Sequence, residues 1–202
     1  SENIGSGDGF FALNGTTALL RQIFGTPDQI DVANGRRARV AAIDGSVMAS
    51  SLDHAVATAQ VGVVDVWDVR RTLELRTVEL AARNRSESDA AAILAAAADM
   101  AAARDDPALM TAADVRFHLS IARACGNPLF HQIVRSFEQL MVKAVPRAWQ
   151  TRQTEEQREE ILALHTRIAQ AIAAGDAPAA TAEMDRHFDT SIGDMMRSAP
   201  LT

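Results

Sequence analysis

Signals that start and end helices divide the chain from about residue 64 onward into short segments. Asp106 precedes Pro107, Asn127 lies between Gly126 and Pro128, and Gly175 is followed by Asp176. Proline favours the first turn of a helix and glycine the position just past its end, so these junctions mark helix boundaries. Aromatic residues make up only 4% of the chain and tyrosine is absent, which suits packed helices better than a sheet sandwich. The sequence therefore predicts a mainly α fold.

The helices are expected to start near Val64, Ser86 or Ser88, Asp106, Leu129, Thr154 and Asp176. On the first of them, apolar residues at helical spacing predict a buried stripe of Val66, Val69, Leu73 and Leu80. Pro146 is expected to end the fourth helix at Val145. Thr154 with Gln157 is typical of a capping box, and the last helix is expected to reach about Met196.

The first 62 residues are expected to form a separate head and linker. Ile30–Val32 and Ala38–Val40 flank Asn34-Gly35, the pair that best suits a tight hairpin turn. Three arginines, Arg36, Arg37 and Arg39, cluster on this predicted hairpin. They would suit contacts with DNA phosphates, although from residue type alone a solvated, charged hairpin is the commoner explanation. Residues 44–64 predict a linker with a short helix near 52–59.

Composition restricts the cellular setting. The single Cys125 cannot form an internal disulfide and is expected to be a small buried residue in a protein of the reducing cytoplasm. No apolar run approaches the roughly 20 residues needed to cross a bilayer, and no signal peptide is evident, so we expect no membrane contact. A formal charge of −6 excludes a protein that coats nucleic acid by charge alone, and any DNA contact must be confined to a local patch.

The most informative motif for function is Asp114 followed by His118. Residues four apart project from one face of a helix, as two metal ligands on one helix must. His165 and His187 lie among apolar residues of later predicted helices, so both could point into the centre of a bundle. One carboxylate and three imidazoles suit Zn²⁺, Ni²⁺, Mn²⁺ or Fe²⁺. Each histidine alone is more commonly a core or surface residue.

Several segments in register resemble one known family. They are Val66–Glu74, Ala113–His118, Ala124–Pro128, His165, Ala174–Asp176 and Asp185–His187. Together they resemble the C-terminal effector domain, called FCD, of GntR-type transcriptional regulators in the FadR-like branch. The resemblance covers roughly residues 63–197, and it implies an antiparallel helical bundle behind a small winged-helix-like head.

The resemblance also implies functional residues. Many members hold a divalent metal through an aspartate, a histidine one turn later and two further histidines, which correspond to Asp114, His118, His165 and His187; Zn²⁺ or Ni²⁺ is favoured. Members are usually homodimers that bind a small carboxylate effector, and the family arginine near the effector corresponds to Arg70. An ion pair between Arg70 and Glu74 is the competing explanation. His54 and His131 match no ligand position.

The head departs from the family pattern. The Ser-Arg-x-Pro-Val-Arg-Glu-Ala-Leu type of run that marks the recognition helix is absent, and only the hairpin at 30–40 resembles the wing. The leading hypothesis is a metabolite-responsive regulator, not an enzyme, in which the ligand-bound domain (63–197) alters operator binding by the heads (1–62) of a dimer. The alternatives are a metal-dependent hydrolase or lyase, with Glu74 as the only candidate acid or base, and a dimerisation module with a purely structural metal.

Overall fold

The computed structural model describes residues 30–31, 39–40 and 45–198, with side chains described from 45 to 191. It divides the chain into two compact units, Ser1–Asp44 and Gly45–Thr202. In the first unit, strands β1 (Ile30–Asp31) and β2 (Arg39–Val40) pair antiparallel, with Ile30 opposite Val40. This pairing agrees with the predicted hairpin. Its turn, with Arg36 and Arg37, and the side chain of Arg39 lie outside the described residues.

The second unit consists of helices, as the sequence predicts. Within residues 45–198 they are α1 (Ser46–Ala57), α2 (Val63–Asn84), α3 (Glu87–Ala102), α4 (Pro107–Ala124), α5 (Pro128–Ser136), α6 (Glu138–Thr151), α7 (Glu155–Ala174) and α8 (Ala177–Ser198). Helix α1 packs against α5 and α6 and therefore belongs to this unit, whereas the predicted domain boundary falls near residue 62.

The predicted caps are present at several helix ends. Oδ1 of Asp106 accepts hydrogen bonds of 3.0 Å from the backbone N–H groups of Ala108 and Leu109. Thr154 and Gln157 form the expected reciprocal capping box at the start of α7. Gly175 ends α7 with a φ of 77°, a left-handed conformation in which a Cβ would be strained. These local bonds set the length of each helix and hence the level at which its side chains enter the bundle.

The prediction that Pro146 ends a helix is wrong. The segment divides instead at Phe137, and α6 continues through Pro146 to Thr151. Proline removes one backbone hydrogen bond inside a helix, a cost that tertiary packing can offset. Met141, Ala148 and Trp149 are buried along α6 on both sides of the proline, so the core holds this helix together.

The core lies where α2, α4, α7 and α8 meet. Helix α2 packs against α8 and α4, α7 packs against α8, and α3 covers α4 and α7. Fully buried apolar side chains fill the space between them, among them Phe117, Ile168, Met184 and Phe188. Cys125 is buried as predicted, and burial raises the pKa of its thiol, which makes it a poor nucleophile. In the described part of the chain, no helix has the length and apolar character to cross a bilayer.

Candidate metal centre

Three histidines from three different helices converge in the core of the bundle. His118 lies on α4, His165 on α7 and His187 on α8, and each side chain is at most 5% exposed. One ring nitrogen from each lies within 4.8 Å of the other two. The ring centroids of His165 and His187 are 4.5 Å apart, and those of His118 and His187 are 5.3 Å apart. The helical packing thus brings together residues that are far apart along the chain.

Asp114 joins this cluster from the turn of α4 that precedes His118. Its Oδ1 lies 3.3 Å from Nε2 of His165, and the residue is 6% exposed. Burial favours the neutral form of this carboxyl, but the neighbouring His165 and His118 outweigh it and hold the pKa of Asp114 below its ordinary value. The carboxyl group is therefore ionised at neutral pH and can act as an oxygen ligand.

Hydrogen bonds to the Nδ1 atoms orient two of the rings. Nδ1 of His165 donates to the backbone carbonyl of Ile161 at 2.7 Å, and Nδ1 of His118 donates to Oε2 of Glu74 on α2. A proton held on Nδ1 leaves the lone pair on Nε2, which is the form a metal requires. In the neutral form of each of these two rings, Nε2 therefore carries the lone pair that a metal would bind.

The buried polar atoms without hydrogen bonds test whether these residues fit a metal. Within residues 45–191, four such atoms belong to the cluster: Oδ2 of Asp114, Nε2 of His118, Nε2 of His165 and Nδ1 of His187. An unsatisfied buried polar atom lowers the stability of a fold by about 1–3 kcal/mol. Four such atoms in one core indicate that a bound partner, such as a cation, satisfies them. Three nitrogens and one oxygen are a donor set that Zn²⁺ and Ni²⁺ accept. The residues fit a divalent cation.

The electrostatics of His187 and His118 differ. Burial lowers the pKa of His187 well below its ordinary value, and the nearby His165 and His118 lower it further, so His187 is neutral at pH 7. Burial acts in the same direction on His118, but the Glu74 carboxylate outweighs it and raises the pKa of His118. His187 is therefore ready to bind a cation at neutral pH, whereas His118 must lose a proton first at any pH below its raised pKa.

Metal affinity should therefore increase as the pH rises. Below its raised pKa, His118 is protonated and a cation must displace the proton; above that pKa no proton competes. We expect affinity for Zn²⁺ or Ni²⁺, measured by competition with a chromogenic chelator, to rise from about pH 5 to pH 8. In Glu74→Gln, the rise should occur at lower pH. A wild-type affinity that is the same across this range would contradict the assignment of His118.

Glu74 is a residue whose role the sequence analysis did not identify. It is 1% exposed, contacts His118, and accepts a hydrogen bond of 2.8 Å from Nε of Arg70, whose Nη2 forms an ion pair with it at 2.6 Å. The ion pair considered as the alternative for Arg70 is thus present. Burial favours the neutral form of Glu74, but Arg70 and His118 outweigh it and lower the pKa of the carboxyl. Glu74 is an anion that positions His118.

Replacing Glu74 by glutamine should weaken metal binding by about tenfold to a hundredfold, the usual effect of losing a carboxylate that orients a metal-bound histidine. Glu79→Gln provides a matched control on the same helix, because Glu79 pairs with Arg76 and Arg83 near the surface. The measurement is a competition titration, with circular dichroism to verify the fold. Wild-type affinity in Glu74→Gln would contradict the positioning role.

A small cavity adjoins the four residues. Its volume is about 30 Å³, and Trp67, Trp149 and Arg152 share its wall with the cluster. Methionines and aliphatic side chains form most of the remaining lining. Arg70 is not among the described lining residues; its guanidinium pairs with Glu74 and lies 4.9 Å from the Trp67 ring centre. Its predicted contact with an effector stays a prediction.

The two remaining histidines lie elsewhere. His54 is exposed on α1, and His131 is half-buried on α5, so neither contributes to the cluster. The fold and the site together define a class of protein: a helical bundle with a buried set of one carboxylate and three imidazoles next to a cavity.

Comparisons with known proteins identify the family. Residues 65–190 match the FCD domain. The chain therefore belongs to the FCD domain family, as its resemblance to GntR-type regulators implied. It is similar to the HTH-type transcriptional regulator LutR of Bacillus subtilis (strain 168), with 31% identity over 138 residues. That alignment covers 66% of this chain and 62% of LutR, so the chain matches somewhat less than two thirds of its relative.

Solved structures show the same fold. The Streptococcus agalactiae GntR structure superposes with a TM-score of 0.60 at 18% identity, covering 88% of this chain and 78% of that one. E. coli McbR/YncC superposes with a TM-score of 0.55 at 19% identity, covering 90% and 83%. At such identities the likeness establishes the arrangement of the helices. The predicted fold class, a mainly helical FCD-like bundle, is confirmed.

Proposed function

We propose that this chain is a metabolite-responsive transcriptional regulator whose helical domain binds one divalent metal and a small carboxylate effector. The observation that carries the proposal is the convergence of His118, His165 and His187, with Asp114 beside His165 and with a buried atom that lacks a hydrogen bond on each of the four residues. The similarity to LutR supports a regulator over other classes of FCD-containing protein. A carboxylate effector is supported because a bound dication would place positive charge beside the cavity, and an anion would be attracted to it.

Asp114, His118, His165 and His187 would hold the metal, with Zn²⁺ or Ni²⁺ favoured over Mn²⁺ and Fe²⁺ because nitrogen ligands predominate. Bound there, the ion would supply a positive charge to which a carboxylate oxygen can bind. Glu74 orients His118, and Arg70 keeps Glu74 ionised. Both pairs are buried, and a buried environment strengthens both interactions.

Regulation would require the two parts of the chain to act together in a homodimer. We assign DNA contact to the head (1–62), with Arg36, Arg37 and Arg39 of its hairpin placed against operator phosphates, and effector binding to residues 63–197. An effector can shift the DNA-binding state only if it binds the two arrangements of the dimer with different affinity. Helix α1 joins the parts in sequence and packs on α5 and α6, so it is our candidate for the segment that responds.

An enzyme is not favoured. Glu74 was the only candidate acid or base; it is buried, engaged by Arg70 and His118, and not among the described residues that line the cavity. The remaining alternative is a purely structural metal, which predicts that no small carboxylate binds to the protein. The test is a calorimetric titration of small carboxylates into the metal-loaded and the chelator-treated protein, followed by selection of bound DNA from a random pool. We expect carboxylate binding only in the loaded protein and a changed affinity for the selected DNA. Binding of no carboxylate would contradict the effector part of the proposal.

A further inference from the structure

We infer that the indole N–H of Trp67 is the hydrogen-bond donor that fixes the organic ligand in the cavity, and that this ligand is a short aliphatic carboxylate. The inference rests on the proposed function and makes it more specific, because it names the donor and the chemical class. It concerns a residue of α2 that lies one turn before Arg70 and shares the cavity wall with the four ligand residues.

The first observation is an unused donor. Trp67 is 6% exposed, and its Nε1 has no hydrogen-bond partner among the described residues. Buried tryptophan N–H groups almost always have an acceptor, because leaving one unpaired costs about 1–3 kcal/mol. The side chain borders the cavity next to the metal-type cluster. An acceptor atom supplied by a ligand in that cavity would satisfy it.

The second observation is that the indole is held in place before any ligand binds. The Phe188 ring meets it edge to face, with centroids 6.0 Å apart and planes at 67°. The Arg70 guanidinium lies 4.9 Å from the centre of the Trp67 ring and is itself paired with Glu74. Rotating the indole out of this position would break its contacts with Phe188 and Arg70. Its N–H is therefore preorganised, which lowers the entropic cost of binding.

The lining of the cavity defines the chemical class. The ligand set beside the cavity would hold a dication, so the ligand should be an anion. Met100, Met110, Met141, Ile161 and Leu162 form the apolar part of the wall. Ser191 adds a single hydroxyl to this wall, so most hydroxyl groups of a polyhydroxylated acid would stay unpaired.

Size restricts the ligand further. A cavity of about 30 Å³ has room for little more than one or two water molecules. Methionine side chains are flexible and can make space for a few methylene groups, but not for a long chain. A carboxylate group shared between the metal and the Trp67 N–H, with a short aliphatic tail along the methionines, satisfies all three constraints. It provides an acceptor for the unused N–H, it is an anion with an apolar remainder, and it is small.

The test compares Trp67→Phe with wild type, both loaded with Zn²⁺. Formate, acetate, butyrate and hexanoate are titrated by calorimetry. We expect the best of these acids to bind Trp67→Phe about tenfold to a hundredfold more weakly, because a hydrogen bond to a charged acceptor is lost. Metal content should be unchanged. Trp149→Phe is the matched control, since it removes a similar volume from the same wall. The affinity of Trp149→Phe for the acid should fall much less than that of Trp67→Phe.

A second measurement does not depend on the folding of Trp67→Phe. The chain has only two tryptophans, so Trp149→Phe leaves a single indole N–H signal in the nitrogen–proton NMR spectrum. Adding the acid should move that signal downfield. Equal carboxylate affinity in Trp67→Phe and wild type, or an unmoved indole signal at saturation, would overturn the inference and leave a bound water as the partner of Nε1. Failure of wild type to bind any of the acids would overturn both the inference and the effector proposal.

Discussion

Wild-type protein purified without chelator should carry about one divalent ion per chain, whereas His118→Ala should carry almost none. In the wild type, one nitrogen from each of three buried histidines lies within 4.8 Å of the other two, and Asp114 lies beside them. Removing one imidazole leaves three donors and an empty space in the core. Loss of a group that only orients a metal ligand already weakens binding tenfold to a hundredfold, so loss of the ligand itself should exceed that. Elemental analysis of both proteins provides the measurement.

The chain contains its own controls. His54 and His131 are its only histidines outside the cluster, and His54→Ala and His131→Ala should retain the wild-type metal content. His187→Ala should behave like His118→Ala. A wild type that carries no divalent ion and takes none up, or equal loss in all four variants, would refute the assignment of the site.

Loading the metal-free protein should raise its melting temperature by roughly 10 °C. A ligand that binds only the folded state at a thousand times its dissociation constant contributes about 4 kcal/mol, and each kcal/mol shifts a domain of this size by about 2–4 °C. The four buried atoms without hydrogen bonds are a cost in the metal-free state that a cation would remove. The measurement is a thermal scan of chelator-treated protein with and without added Zn²⁺ or Ni²⁺.

His187→Ala tests whether this stabilisation comes from the cluster. The variant should unfold at nearly the same temperature with and without metal, because one of the four donors is absent. A large shift that persists in His187→Ala would indicate that the cation stabilises another part of the chain. A wild-type protein that shows no shift at saturating metal would contradict the site directly.

Local signals in the sequence predicted the helix ends well, because capping depends on residues close together. Asp106, Thr154 and Gly175 act at their own helix ends, and the structure shows the expected bonds at each. Pro146 was misjudged, because its effect depends on the packing of Met141 and Trp149 against other helices. The extent of α6 is a tertiary property that the local pattern does not contain.

The buried face of α2 was also misjudged. The apolar stripe was predicted to include Val69, yet Val69 is 50% exposed, whereas Arg70 and Glu74 are buried. Counting apolar residues failed here because the buried face of α2 contains the ion pair of Arg70 and Glu74, which lies next to the metal-type cluster. The Trp67, Arg70 and Glu74 spacing of three and four places all three on one face, so the pattern itself contained a signal. Recognising it requires accepting that charges can be buried when they are paired.

The four candidate ligands could be named from the sequence, but their partners could not. The spacing of Asp114 and His118 and the resemblance to a family indicated the set, and the structure brings the three histidines together with Asp114 beside them. The contact between Glu74 and His118 joins residues 44 positions apart, and it depends on the register between α2 and α4. Cavity-lining residues such as Trp67 and Arg152 likewise emerge only once the helices are packed.

A crystal structure of the metal-loaded protein, with anomalous scattering recorded at the absorption edge of the metal, tests the central claim most directly. We predict one strong anomalous peak in the core of the bundle, bound by Asp114, His118, His165 and His187. A peak elsewhere, or a core in which these four side chains surround no ion at saturating metal, would contradict the account.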